Sequence, residues 1–331
     1  MSVGENFLDV LMAWFRENKR DLPWRRDRSV YSVLVSEMML QQTQVSRVVE
    51  YYTRFLDRFP TMEALARASL DEVYHAWSGL GYYRRVRSLY EACRALLEKG
   101  ILSGEQFSQL PGVGEYTASA LRAFALNEVV GVVDANVRRV LSRFRGIVST
   151  EKKRIQMVMD VLVRYGVRRN YESREVNEAF MELGALVCGR ERKCFVCPLK
   201  RWCCSYLGGR DYVVVEKTVY HEMEEHSVAY LSPRGRLLLL PGRRWWKGLW
   251  DLPLEAEVRL GGEVLGSFFI RYSVTNHRVL REVEVRRVGE EVEVSEGRWV
   301  DVRACDCALG SPAKRCLEYV EGFVTTNQSG L

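Results

Sequence analysis

Five of the nine cysteines in this 331-residue chain fall within residues 188–204. Cys188, Cys194, Cys197 and Cys203 are separated by five, two and five residues. Four thiolates at so compact a spacing can enclose one 4Fe–4S cluster, and zinc is the rival metal because it also accepts four sulfurs. Unrelated thiols are not expected to crowd so densely, and a secreted disulfide framework does not cluster its cysteines this way. Spacing favours Cys203 as the fourth ligand, with the adjacent Cys204 as the alternative. Lys193, Lys200 and Arg201 sit among these residues, so the same loop could touch phosphates. Cys93, Cys305, Cys307 and Cys316 lack such spacing and read as ordinary thiols.

Two carboxylates also invite a chemical reading. Glu37 lies in Val33-Leu-Val-Ser-Glu-Met-Met-Leu, an otherwise apolar helical run. Burying a carboxylate there is costly unless it is paired, and burial raises its pKa into the range a general acid needs. The plainer reading puts Glu37 on the exposed edge of its helix. Asp134 precedes Ala-Asn-Val-Arg-Arg-Val-Leu and is a favoured helix cap. A carboxylate there could also face the oxocarbenium character that develops when a glycosidic bond breaks. The two roles are compatible, and sequence alone does not show that Glu37 and Asp134 converge.

A third motif is Leu110-Pro-Gly-Val-Gly-Glu-Tyr-Thr-Ala. Gly112 and Gly114 flank Val113 just before a helix. Glycine lets backbone come close to a phosphate, and the free N–H groups at a helix start face it. Such a hairpin grips a backbone without reading its sequence. Charge agrees. Net charge is +6, but residues 1–210 carry an excess of nine positive charges and residues 211–331 an excess of three negative ones. A basic first part suits a phosphate-rich partner, although solvated Arg-rich helices give the same balance.

The elements that must position these groups follow from periodicity. Residues 1–187 read as helical nearly throughout, with apolar residues at three- and four-residue spacing. Helices are expected at Phe7 to Phe15, Tyr31 to Leu40, Val45 to Phe59, a short one opened by the capping box Ser69-Leu-Asp-Glu72, and at about 82–98, 115–126, 134–145, 151–165 and 173–187. Turns at Arg20-Asp-Leu-Pro, Gly79-Leu-Gly and Leu110-Pro-Gly separate them. Strand-like runs follow at Ser227 to Leu231, Arg236 to Leu240, Gly266 to Val274, Val279 to Val288 and Arg298 to Val300, with a helix at Pro312 to Val320 and a polar tail from Thr325. No run is apolar enough for a membrane helix, and Met1-Ser-Val-Gly-Glu is expected to be a start without a signal peptide.

Taken together these residues resemble one family. Leu22-Pro-Trp-Arg, Glu37-Met-Met-Leu-Gln-Gln-Thr, Gly79-Leu-Gly-Tyr-Tyr, Leu110-Pro-Gly-Val-Gly, Val133-Asp-Ala-Asn and the cysteines occur in the order of the MutY adenine DNA glycosylases, of the helix-hairpin-helix superfamily. The resemblance is strong over about residues 5–205 and weak over 222–320. It implies a mostly α N-terminal glycosylase core over 1–204, with a six-helix region at about 26–130. An iron–sulfur region would be formed by the N-terminal helix and about 131–204. A linker at 205–221, an α+β Nudix-like recognition domain at 222–320 and a tail at 321–331 would follow. The implied activity is removal of adenine mispaired with 8-oxoguanine or guanine in double-stranded DNA, leaving an abasic site, by a monomer in a prokaryotic cytoplasm.

By motif match, Glu37 would protonate adenine at N7 and Asp134, in the motif with Asn136, would stabilise the oxocarbenium ion, electrostatically or through a transient covalent adduct. Tyr116 stands where the bifunctional endonuclease III has its lysine, and a phenol forms no Schiff base, so lyase activity is not expected. Gln42, Thr43, Leu80 and Tyr82 match positions that wedge into the base stack. The plainer reading of Leu80 and Tyr82 is packing. Trp24, Arg25 and Glu178 match the lining of the adenine pocket. Lys247-Gly-Leu-Trp-Asp-Leu-Pro is the clearest match in the Nudix-like part, where the Glu-rich metal helix of pyrophosphatases is missing. Three departures stand out. The cysteine spacing is five-two-five in place of six-two-five, and Ala135 replaces a glycine. Thr275-Asn276-His277 aligns with Phe-Ser-His, which puts Asn276 at the serine. The alternatives are a mismatch thymine or uracil glycosylase, in which alanine also occurs at the Ala135 position, and a non-catalytic iron–sulfur DNA-binding protein.

Overall fold

The computed structural model describes residues 6–100, 104–215, 219–305 and 307–326. The leaderless start expected at Met1 to Glu5 and the tail beyond residue 326 lie outside them. The chain forms two compact units, Met1–Ala66 with Glu91–Glu216 and Arg67–Tyr90 with Lys217–Leu331.

The first unit is helical. Helix α1 (Phe7–Asn18) starts at Asn6, whose side chain accepts from Leu8 N at 2.9 Å, and buries Leu8, Leu11, Met12 and Phe15. Helix α2 (Val30–Leu40), capped by Ser29, is buried from Tyr31 to Met39. Because it is apolar on every side, it has no solvent face to offer and must run through the interior. Helix α3 (Val45–Arg58) is amphipathic and turns Val48, Tyr52 and Phe55 inward. Helices α4 (Met62–Arg67) and α6 (Arg84–Lys99) straddle the two junctions in the chain. Between them in the chain, and belonging to the second unit, α5 (Leu70–Ala76) opens on the expected Ser69–Glu72 capping box.

The helix expected at 115–126 is α-helical only as α7 (Glu115–Ala120) and continues as a π-turn over Leu121–Ala125. Helix α8 (Ala135–Arg145) is capped by Asp134 and stopped by Gly146, whose φ of 68° suits a residue without Cβ. Helices α9 (Lys152–Val167) and α10 (Ser173–Leu186) complete this unit's long helices. The apolar faces of α1, α8, α9 and α10 share one core, from Leu8 and Phe15 through Val140 and Met159 to Phe180 and Leu183. Gly184 lets α10 lie directly on the start of α8, where a Cβ would stand 2.7 Å from that of Asn136. The stretch expected as linker opens with a short helix, α11 (Cys204–Gly208).

The second unit is built on a mixed sheet. Its strands are β1 (His221–Leu231), β2 (Arg236–Pro241), β3 (Trp250–Asp251), β4 (Glu263–Val274), β5 (His277–Arg287) and β6 (Arg298–Asp301), in the order β3-β2-β1-β5-β4 with β6 on β2. β1 and β5 are parallel from His221 opposite His277 to Leu231 opposite Arg287, and the other pairs are antiparallel. β1 begins before the expected Ser227. Its first half is polar, so an apolar pattern misses it, and pairing with β5 holds it: Arg278 meets Glu222 and His226 meets Glu282. Helix α12 (Ser311–Thr326) covers one face of the sheet and runs past the expected Val320, because Phe323 also packs on the core of Leu237, Val283 and Leu317.

Inside this unit Arg281 is 2% exposed and fully engaged. Its guanidinium meets Asp251 Oδ1 at 2.7 Å and Glu225 Oε2 at 2.8 Å, and the Tyr272 hydroxyl donates to the same Glu225 oxygen at 2.6 Å. Removing one partner of such a cluster strands the others in the interior. Arg281→Met is expected to cost about 3–5 kcal/mol, read as faster hydrogen exchange in β1 and β5. Unchanged exchange would mean that water reaches Asp251 and Glu225.

Candidate active site

A cavity of about 390 Å³ opens in the helical unit. The turn before α2 supplies Trp24, Arg25 and Arg28, α2 supplies Ser36 and Glu37, and α7 supplies Tyr116. Asp134 and Asn136 come from the start of α8, and Glu178 and Glu182 from α10. The two carboxylates singled out by chemistry therefore share one cavity. Glu37 is not on an exposed edge, since it is only 5% exposed. Burial, and to a lesser degree the negative charge of Asp134, push its pKa up to about 7, against a hydrogen bond from the Tyr116 hydroxyl that works the other way. The phenol is itself held well above its ordinary value, first by burial and then by both carboxylates.

Asp134 is placed by its own backbone. As the cap of α8 it accepts from Val137 N at 2.7 Å, and Asn136 Nδ2 donates to its other oxygen at 2.8 Å. Burial raises its pKa, while those two donors and Arg139 oppose the rise. The two acids thus differ in kind: Glu37 has one donor in an apolar setting, and Asp134 has two donors and a nearby cation. Such a split is how one site keeps one acid protonated and another ionised.

Sequence reasoning missed several members of this site. Arg139 donates to Asn136 Oδ1 at 2.8 Å, to Gly184 O at 2.8 Å and to Cys188 O at 2.6 Å, which ties the cap to the cysteine loop. Arg143, one turn on, donates to Gly189 O at 2.7 Å and stands 3.6 Å from Cys188 Sγ. Glu182 is 1% exposed, and although burial would raise its pKa, Arg20 and Arg25 hold it below the ordinary range. The signal for Glu182 was present, because it follows the expected Glu178 by four residues on one helix and shares its face.

Cys188, Cys194, Cys197 and Cys203 lie near enough for their charges to act on one another. Burial, then the other three thiols, push Cys197 up to about 11, against a backbone hydrogen bond from Leu199. Cys204 is exposed, with its Cβ turned toward Gly146. Among the described residues, no three His, Cys, Asp or Glu side chains close round a point tightly enough to hold a single metal ion.

The hairpin lies just before α7. Gly112 has a φ of 69°, Val113 is buried, and a Cβ on Gly114 would meet nothing within 4 Å. Thr43 lines the cavity, whereas Gln42 sits on the exposed turn after α2 with a φ of 57°, and Gln41 takes the lining place beside Thr43. Leu80, Tyr82, Asn276 and His277 belong to the second unit. There Leu80 is buried at 5%, Tyr82 is 40% exposed with a φ of 49°, Thr275 and Asn276 form the β4–β5 turn, and His277 opens β5. The His277 ring lies 5.1 Å from Trp245 and 5.4 Å from His221.

Fold and cavity define a class: residues 35–164 match the HhH-GPD superfamily of base excision DNA repair proteins. The solved structure of a thermostable thymine-DNA glycosylase superimposes with a TM-score of 0.55 at 26% identity, over 61% of this chain and 95% of that one. An adenine DNA glycosylase of Mus musculus is 44% identical over 218 residues, 60% of this chain and 42% of that protein, and one of Homo sapiens is 43% identical over 215 residues, 60% and 39%. An adenine DNA glycosylase of Buchnera aphidicola subsp. Baizongia pistaciae (strain Bp) is 32% identical over 251 residues, 74% of this chain and 71% of that protein. The chain belongs to the MutY family of adenine DNA glycosylases, within the HhH-GPD superfamily. It spans about two fifths of the length of the mammalian relatives it matches. Among the described residues no helix is long and apolar enough to cross a membrane.

The raised pKa of Glu37 has a consequence for stability. The folded chain binds this proton more tightly than the unfolded one, so the stabilisation is complete below the ordinary value of 4.5 and is lost as pH rises through about 7. Glu37→Gln should therefore match the native protein near pH 4 and exceed its unfolding free energy at pH 8 by up to ~3 kcal/mol. Urea unfolding at the two pH values checks this, and an equal pH dependence in both proteins would put the Glu37 carboxyl in contact with water.

Proposed function

We propose that this protein is a monofunctional DNA glycosylase that hydrolyses the N-glycosidic bond of adenine mispaired with 8-oxoguanine or guanine in duplex DNA. The observation that carries this reading is the pairing of a buried Glu37 with a donor-stabilised Asp134 in one cavity. An adenine turned out of the stack enters the cavity, and the Glu37 carboxyl gives its proton to the base at N7. The base becomes a better leaving group and the C–N bond breaks, with the bond electrons going to adenine. The Asp134 carboxylate stabilises the oxocarbenium ion left on the sugar, and water adds to it, its proton returning to the Glu37 carboxylate, to give the abasic site. Tyr116 keeps Glu37 oriented and, having no amine, supports no Schiff base. Trp24 and Arg25 line the base pocket. Asn136 keeps Asp134 in place.

The hairpin of Gly112, Val113 and Gly114 grips a phosphate, and the basic balance of residues 1–210 favours the same partner. In the helical unit Gln42 wedges into the base stack, with Thr43 at the cavity edge, and Leu80 and Tyr82 of the second unit are wedge residues by motif match. The C-terminal sheet unit is a Nudix-like recogniser of the opposite base, with Asn276 in the contact turn and His277 at the first position of β5. The donor set of Cys188, Cys194, Cys197 and Cys203 fits a 4Fe–4S cluster: four mutually interacting thiols held by the loop that Arg139 and Arg143 brace. When bound, such a cluster fixes the loop in shape and presents Lys193, Lys200 and Arg201 to DNA. Cys203 is preferred over the exposed Cys204. The protein as purified should be brown, and Cys197→Ser should lose both iron and colour. A colourless protein loaded with zinc would refute the cluster.

Single-turnover base release from duplexes carrying A:8-oxoguanine, A:G, A:C, T:G and U:G, at fixed salt, tests the reading. Selective release of adenine is expected, with Glu37→Gln binding the same duplex but losing at least 10²-fold in rate. Near-normal turnover by that variant would overturn the acid assignment. Ala135 and the likeness to a thymine-DNA glycosylase favour a second reading, mismatch thymine or uracil release, which the same panel separates.

A further inference from the structure

The cavity contains a row of charges that protonation by Glu37 and cation stabilisation by Asp134 do not use. It runs Arg28, Glu178, Arg25, Glu182, Arg20. Glu182 is saturated, since Oε1 accepts from Arg20 Nε at 2.5 Å and Oε2 from Arg25 Nη2 at 2.6 Å. Glu178 is not. Arg28 Nη1 lies 2.7 Å from its Oε1, and Arg25 Nε stands 3.6 Å from that same oxygen. The second oxygen, Oε2, forms no hydrogen bond among the described residues, and the side chain lines the cavity. Arg28 is held on a fixed turn, for Asp27 accepts from Ser29 N at 2.9 Å and from Ser29 Oγ at 3.0 Å just before α2.

We propose that Arg28 is the positioning residue that sets base specificity here: by holding one oxygen of Glu178 it presents the other as an acceptor for an exocyclic amine. The inference rests on the glycosylase reading above and deepens it. A base with an amine, such as adenine, donates to Oε2. A base with a carbonyl at that edge sets oxygen against oxygen, and an unpaired charged acceptor in a buried site rejects it. Glu178 touches the base, and Arg28 acts through Glu178.

The test compares single-turnover release of adenine and of purine, the same ring without the amine, from otherwise identical duplexes. The full chain is used. The native protein should prefer adenine, and Arg28→Met should lower the adenine-to-purine rate ratio by about tenfold or more. Arg28→Lys, which keeps a charged donor, should recover most of it. Glu178→Gln should lower the ratio as Arg28→Met does, with little further loss in the double variant. If Arg28→Met slows both bases alike and leaves the ratio unmoved, the residue is merely structural and the proposal falls. If the native protein releases thymine or uracil in place of adenine, it is the adenine reading that fails.

Discussion

A carboxylic acid cannot be buried as an anion without a partner, and in this molecule Glu37 has none of opposite charge. It sits on α2, a helix buried from Tyr31 to Met39, and that burial raises its pKa to about 7, so it keeps its proton well above the ordinary carboxylate range. Around that constraint the other residues take their places. Tyr116 comes from the start of α7, directly after the hairpin. Asp134 comes from the cap of α8 and adds its charge to the same effect. Were α2 amphipathic, its glutamate would face solvent and titrate as an ordinary surface group.

The second carboxylate is held by a different device. A helix cap fixes an aspartate by the geometry of the backbone it caps, so Asp134 needs no packing of its own to be rigid. Its outer support is Arg139, which reaches from Asn136 to the carbonyl of Cys188. The cysteine loop is thereby connected to the Asp134 cap through the side chains of Asn136 and Arg139.

How much of this was legible in the residues depends on the kind of force involved. Apolar periodicity located the helices to within a few residues, because burial of a stripe leaves a repeat in the sequence. Asp134 as a cap and Ser69–Glu72 as a capping box were local and equally plain. The depth of Glu37 was not local: the composition of α2 raised it, but only the packing of α2 on all sides decided it. The polar half of β1 was missed because ion pairs with β5 and a backbone ladder hold it, and neither leaves a hydrophobic signature. Arg139 has no signal in residue type, since only the fold shows the carbonyls it meets, whereas Glu182 is marked by its place one turn after Glu178. The π-turn after α7 had no signal in residue type.

The buried Arg281 cluster carries a consequence for how the second unit folds. Its members come from β1, β3, β4 and β5, separated by up to 56 residues along the chain. A subset of those strands assembled alone would enclose an uncompensated charge, so partly formed sheets are penalised and the complete one is favoured. The pairing of β1 with β5 is parallel and non-local, which already makes it a slow contact to reach. Together these features make the sheet assemble as one cooperative block, without a stable half-built form that would expose an open strand edge to other chains.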